Sequence, residues 1–230
     1  MKARYHIFGL HRSGTNVTVT LLAKVFGVRA INNERTEADI YKHRFEPDPE
    51  WKPTAPVIVV HKSPYMWTES IFTRRDMAFH RTMYEMRRDC SAGIDVMEWL
   101  HSSDGTMQPY PDVRVQGRIY ETWARGWVID TKLDVFRIRY EDLLVDESRE
   151  KILDQIESKY GWTRTGKDTL LPKSGTVQNS PEFTDSMVEY YLNGIPKNYY
   201  GTSPFPWRIS GINDMSDDVF DVLNYKKIKL

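Results

Sequence analysis

The chain has a single cysteine, Cys90, among its 230 residues. That excludes an intramolecular disulfide and any metal site built mainly from cysteine. It also has no surplus of charge, since 32 Lys and Arg stand against 32 Asp and Glu. A surface made for nucleic acid normally carries a basic excess, so nucleic acid is not an expected partner and any attraction for anions has to be local. No stretch approaches the roughly 18 apolar residues that span a bilayer. The N-terminus leads into a strand without an apolar leader core or a small-residue cleavage site. A cytoplasmic protein with no membrane partner is the expectation. Internal repeats, low-complexity segments and metal-ligand spacings are missing as well, and no metal is expected. What is present is 40% hydrophobic content over a length suited to one α/β domain with a sizeable core.

The most informative stretch is Tyr5-His-Ile-Phe-Gly-Leu-His-Arg-Ser-Gly-Thr-Asn16. Ile7 and Phe8 read as a buried strand, and Leu21, Leu22 and Val25 share one face of the helix that follows. Strand, glycine loop and helix aim backbone N–H groups and a helix N-terminus at an anion. Gly9 and Gly14 have the spacing of a phosphate-binding P-loop, but Thr15 stands where that motif carries its lysine. The positive charge lies inside the loop instead, at Arg12. A guanidinium beside a ring of N–H donors suits a phosphate or sulfate oxyanion.

Further on, Gly27–Ile31 reads as a short strand, and Pro47, Pro49, Pro53 and Pro56 forbid regular structure before Val57. Val57-Ile-Val-Val60 is a β-branched run, as in a parallel strand buried on both faces. It leads into His61-Lys-Ser-Pro-Tyr-Met-Trp-Thr-Glu-Ser70. A helical pattern runs from Glu69 to about His101, where Arg74, Arg75, Arg87 and Arg88 read as a solvated face. Arg118–Thr131 is an amphipathic helix whose aromatics are packing residues. Asp134–Arg139 alternates as a strand and meets Tyr140-Glu-Asp-Leu143, with Glu141 and Asp142 read as helix-capping acids. A further helix runs from Glu147 to about Trp162, with Gly161 at its end, and Phe183–Leu192 reads as a last one.

The loop Arg12-Ser-Gly-Thr-Asn16 resembles the 5′-phosphosulfate loop of the sulfotransferase family, (Lys/Arg)-Ser-Gly-Thr-Thr directly after the first strand. Asn16 replaces the second threonine, and Val17 stands where many cytosolic members have tryptophan. The family's 3′-phosphate motif is Arg-x-Pro after a strand, with a serine eight residues beyond the arginine. Here Lys62 takes the arginine position, Pro64 matches, and Ser70 is the serine. Tyr140-Glu-Asp-Leu is similar to the family's Tyr-Glu-Asp-Leu element, whose tyrosine lies near adenine. Lys173 and Gly175 resemble part of its late Arg-Lys-Gly loop.

The resemblance covers about residues 5–145. It implies a three-layer α/β fold of the P-loop-like sulfotransferase kind, with a central, mainly parallel sheet flanked by helices. Residues 1–230 would form one domain, with the nucleotide core at about 1–145. The remainder would complete that core or form a substrate lid, and the sequence does not choose. The implied reaction moves a sulfuryl group from 3′-phosphoadenosine 5′-phosphosulfate (PAPS) to a hydroxyl or amine of a small-molecule or glycan acceptor, leaving PAP. Arg12, Ser13, Gly14, Thr15, Asn16, Lys62, Ser70, Tyr140 and Lys173 would hold the nucleotide. Cytosolic relatives take the acceptor proton with a histidine in a Lys-x-His element between the two phosphate motifs, and His43 falls in that interval, directly after Lys42. Glu34 and Glu37 remain as alternative bases, since other branches use glutamate. Two other readings stay open: a P-loop kinase and a non-catalytic nucleotide-binding protein.

Overall fold

The computed structural model describes residues 3–10, 12–33, 42–44, 46–72, 113–165, 169 and 211–228, with backbone alone at 69–72 and 113–116. In chain order the elements are β1 (Arg4–Phe8), α1 (Thr15–Phe26), β2 (Arg29–Ala30), β3 (Val57–His61), α2 (Pro64–Phe72), α3 (Val113–Ala124), a π-helical turn (Arg125–Ile129), β4 (Val135–Arg139), α4 (Tyr140–Leu143), α5 (Asp146–Tyr160) and α6 (Asp217–Val222). The strands form a parallel sheet in the order β2-β1-β3-β4. Ile7 pairs with Ile58, and Ile58 with Phe136.

Alternation along the strands divides the core between the two faces of the sheet. Tyr5, Ile7, Ile58, Val60 and Ile138 pack with Leu21, Leu22 and Val25 of α1 and with Leu153 and Ile156 of α5. Phe8, Val57 and Val59 pack on the opposite face with Tyr120 and Trp123 of α3, Trp127 of the π turn, and Val219 and Phe220 of α6. All five residues of β3 are buried, which explains why its sequence does not alternate. The structure is an α/β fold with helices on both faces of a parallel sheet.

One expectation needs correction. The helix expected at Arg118–Thr131 starts at Val113 and becomes a π turn at Arg125, where the Asp130 N–H bonds to the Arg125 carbonyl. The bulge aims the Trp127 indole N–H at the Arg44 carbonyl, 2.9 Å away, while the ring stacks on Phe8. Of the C-terminal part, residues 211–228 complete the core: Ile212, Met215, Val219, Phe220 and Leu223 are all buried. The helix expected at 183–192 lies outside the described residues.

Candidate functional site

In a parallel sheet, ligands bind beyond the carboxyl ends of the strands, where successive connections leave in opposite directions. Here that place lies between β1 and β3. The chain leaves β1 for β2 on one side, while β3 occupies the other. Two segments meet there, the 9–14 loop after β1 and the turn 62–64 after β3, with Tyr140 arriving from the end of neighbouring β4.

The loop is held by its own backbone. The Ser13 N–H donates to the Leu10 carbonyl at 3.0 Å, and the Thr18 N–H to the Gly14 carbonyl at 3.0 Å. Arg12 has φ 72° and Gly14 φ 99°. Left-handed residues bordering an ordinary turn make the concave set of N–H groups that receives anions, and a non-glycine residue held there points to a functional constraint. Close packing dictates both glycines. A Cβ on Gly9 would strike Ser13 Oγ and come within 2.6 Å of the Val60 carbonyl oxygen. One on Gly14 would collide with the Tyr140 ring, with Cε2 at 2.7 Å. The Ser13 hydroxyl is buried and has no hydrogen-bond partner among the described residues.

Tyr140 joins the three segments. Its ring lies against Gly14, and the Lys62 ammonium sits over it at 4.5 Å from the centroid. Lys62 is buried. Burial pushes its ammonium down to about 7; Glu141 opposes that shift and the Arg12 guanidinium adds to it. Arg12 is exposed while Lys62 is buried, and an anion that meets both would offset the repulsion between them.

Glu141 does not serve its own helix. It lies in the first turn of α4, but its buried carboxylate accepts the Ser63 N–H at 2.8 Å and the Tyr225 hydroxyl at 3.0 Å. Asp142, the other acid expected at the start of α4, does lie in its first turn, 4.0 Å from the Arg139 guanidinium. Burial holds the Tyr225 phenol well above its usual range, so it remains a donor. The His61 Nδ1 lies 3.1 Å from the Tyr225 oxygen. Because the phenol proton goes to Glu141, His61 Nδ1–H is the donor in that bond. Burial, reinforced by Arg139 and Arg137, lowers His61 to about 3 and leaves it neutral.

On the β2 side of β1, the chain returns at residues 42–44. The Gly9 N–H donates to the Lys42 carbonyl at 3.1 Å. The buried His43 ring donates its Nδ1–H to the Gly9 carbonyl at 2.6 Å. A carbonyl oxygen can only accept, so Nδ1 carries the proton in that bond. Lys42 Nζ donates to Asn16 Oδ1 at 2.6 Å and to Asn33 Oδ1 at 2.7 Å. Its charge therefore lies at the start of α1.

The structure brings Arg12, Ser13, Gly14, Thr15, Asn16, Lys62, Tyr140 and His43 to one end of the sheet. Ser70 lies within α2; Lys173, Glu34 and Glu37 lie outside the described residues. Sequence reasoning missed Glu141 as a link between segments, Tyr225 as its partner, and Lys42 as a cation at the loop. An acid beside Tyr140 and an adjacent Lys-His pair were the only signals, and Tyr225 gave none. No helix among the described residues is long and apolar enough to cross a membrane. No family model, curated protein or solved structure matches the chain.

Proposed function

We propose that the chain is a sulfotransferase of the P-loop-like α/β kind, with PAPS as donor and an acceptor hydroxyl or amine. The observation that carries the reading is the meeting of Arg12, Gly14, Lys62 and Tyr140, three segments far apart in sequence, at the switch point of the sheet. The donor is a substrate with two anionic ends, and the chain offers two cationic places for them. Arg12 and the loop N–H groups suit the 5′-phosphosulfate. Lys62, buried beyond Tyr140, suits the 3′-phosphate, with Ser70 of α2 as its companion in the motif.

In the reaction the acceptor oxygen or nitrogen forms a bond to sulfur while the bond from sulfur to the bridging phosphate oxygen breaks. That oxygen keeps the electron pair, and the new charge on the 5′-phosphate meets Arg12 and the loop dipoles, which are already oriented before the step begins. The acceptor proton goes to His43 Nε2, because Nδ1–H is committed to Gly9. Cationic side chains supply the counter-charge at the phosphates.

A P-loop kinase would need the lysine that Thr15 replaces. A thermal-shift panel of PAP, PAPS, ATP and ATP with Mg²⁺ separates the readings, since a ligand that binds only the folded chain raises its melting temperature. PAP and PAPS are expected to give the larger rise. A rise with ATP and Mg²⁺ alone would favour the kinase.

A further inference from the structure

We propose that Glu141 is the positioning residue of the anion-binding lysine: its carboxylate, tied to the C-terminal segment by Tyr225, holds the Ser63 turn in place and keeps Lys62 charged for an incoming phosphate. The inference rests on the reading of Lys62 as a phosphate ligand. It adds a residue from α4 and one from the segment after α6.

Three observations carry it. First, Glu141 is 1% exposed, and each of its carboxylate oxygens accepts a hydrogen bond, one from the Ser63 N–H at 2.8 Å and one from the Tyr225 hydroxyl at 3.0 Å. A buried carboxylate with one donor on each oxygen has little freedom to turn. Second, the bonds form a directed chain. His61 Nδ1–H donates to Tyr225, Tyr225 to Glu141, and the backbone between His61 and Ser63 carries Lys62. The Lys62 carbonyl is held in turn by the Tyr120 hydroxyl of α3. The backbone around Lys62 is thus held on both sides, by Glu141 at the Ser63 N–H and by Tyr120 at the Lys62 carbonyl. Third, the charges around Lys62 need a balance. Arg12 from the loop opposes its charge, Tyr140 lies beneath it, and Glu141 from α4 supports it. Arg139 of β4 reaches Glu141 at 3.6 Å and lies over the Tyr225 ring, while neutral His61 adds no charge.

The physical consequence is specific to pH. Above the lysine's pKa, each unit by which that pKa falls lowers the charged fraction about tenfold, and with it the affinity for an anion. Removing the Glu141 charge while keeping its shape should therefore matter at high pH and hardly at low pH. A merely structural loss would weaken binding alike at both.

The test is calorimetric titration of PAP, and separately of inorganic pyrophosphate, into the wild type, Glu141→Gln and Tyr225→Phe at pH 6.0 and pH 8.5. For Glu141→Gln the expected affinity lies within about threefold of the wild type at pH 6.0 and at least tenfold below it at pH 8.5. Tyr225→Phe keeps the carboxylate and should keep the wild-type pH profile. If Glu141→Gln does not fold, Glu141→Asp carries the test: the withdrawn carboxylate should weaken PAP more at pH 8.5 than at pH 6.0, and an equal loss at both overturns the role. An equal loss at both pH values overturns the proposal, as does a Tyr225→Phe profile shifted as far as that of Glu141→Gln. Pyrophosphate binding with this pH contrast but no PAP binding would overturn the nucleotide reading and leave the role of Glu141 standing. Binding of neither anion by the wild type would overturn both.

Discussion

Asn32 shows how one side chain extends a sheet that has run out of strand. β2 ends at Ala30, and the next polar groups of β1 on that side belong to Ile7. The Asn32 amide supplies both partners: its Oδ1 accepts the Ile7 N–H at 2.8 Å and its Nδ2 donates to the Ile7 carbonyl at 2.9 Å. Asn32→Ala would leave two buried backbone groups unsatisfied, which costs about 2–4 kcal/mol. An unfolding free energy from urea titration lowered by that amount, with unchanged slope, is the expected outcome; a loss under about 0.5 kcal/mol would contradict the assignment. His43 makes the other residue-scale prediction. His43→Ala should leave PAP affinity nearly intact and lower turnover by roughly 10²–10⁴-fold once an acceptor is in hand, with loss of the acidic limb of the pH–rate profile. Near-normal turnover would move the base elsewhere. The loop residues were legible in the sequence because their chemistry is local, with glycines, a cation and a helix start in one run. Glu141 was misread for the opposite reason. Its position in the first turn of α4 is a local fact, but its partners are Ser63 and Tyr225, which local sequence does not show.

At the scale of elements, β1, α1, β3, β4 and α5 fall within a few residues of where periodicity put them, because each buries a continuous apolar face. The π turn was not legible. A single extra residue in a helical turn leaves no pattern, and only the packing of Trp127 on Phe8, with ring centroids 3.9 Å apart, reveals its purpose. The turn also sets Gly126 against Glu46, where a Cβ would lie 3.2 Å from Cγ. The segment bearing His43 is thus held between β1 and this bulge, an arrangement often found near functional sites. Trp127→Phe would keep most of the stacking and lose the indole donor to Arg44. Amide exchange at Gly9, whose N–H bonds to Lys42, should quicken, while that of Val59 in central β3 should not change. Unaltered exchange at Gly9 would show that the bulge does not hold the segment.

The whole molecule buries two titratable groups, His61 and Lys62, at the same end of the sheet. His61 binds its proton at about 3 when folded and near 6.5 when unfolded. The unfolded chain therefore takes up more protons in that window, and folding stability falls as pH drops from about 6.5 towards 3. Lys62 works in the same direction at higher pH. Its folded value of about 7 lies below the unfolded 10.5, so the cost of burying its charge is full below 7 and is relieved as pH rises towards 10.5. For His61 the effect amounts to a few kcal/mol. His61→Gln should flatten the dependence of the urea midpoint on pH between 6.5 and 4.5, and an unchanged slope would contradict the burial argument.

The central claim is that this end of the sheet takes a nucleotide with two phosphate groups through cationic side chains. It is tested most directly by calorimetric titration of PAP in the presence of EDTA, with Lys62→Ala measured beside the wild type. The wild type should bind PAP without metal. Lys62→Ala should lose about 1.5–3 kcal/mol for PAP, and much less for adenosine 5′-phosphosulfate, which lacks the 3′-phosphate. A strict requirement for Mg²⁺, or equal losses for the two nucleotides, would contradict the account.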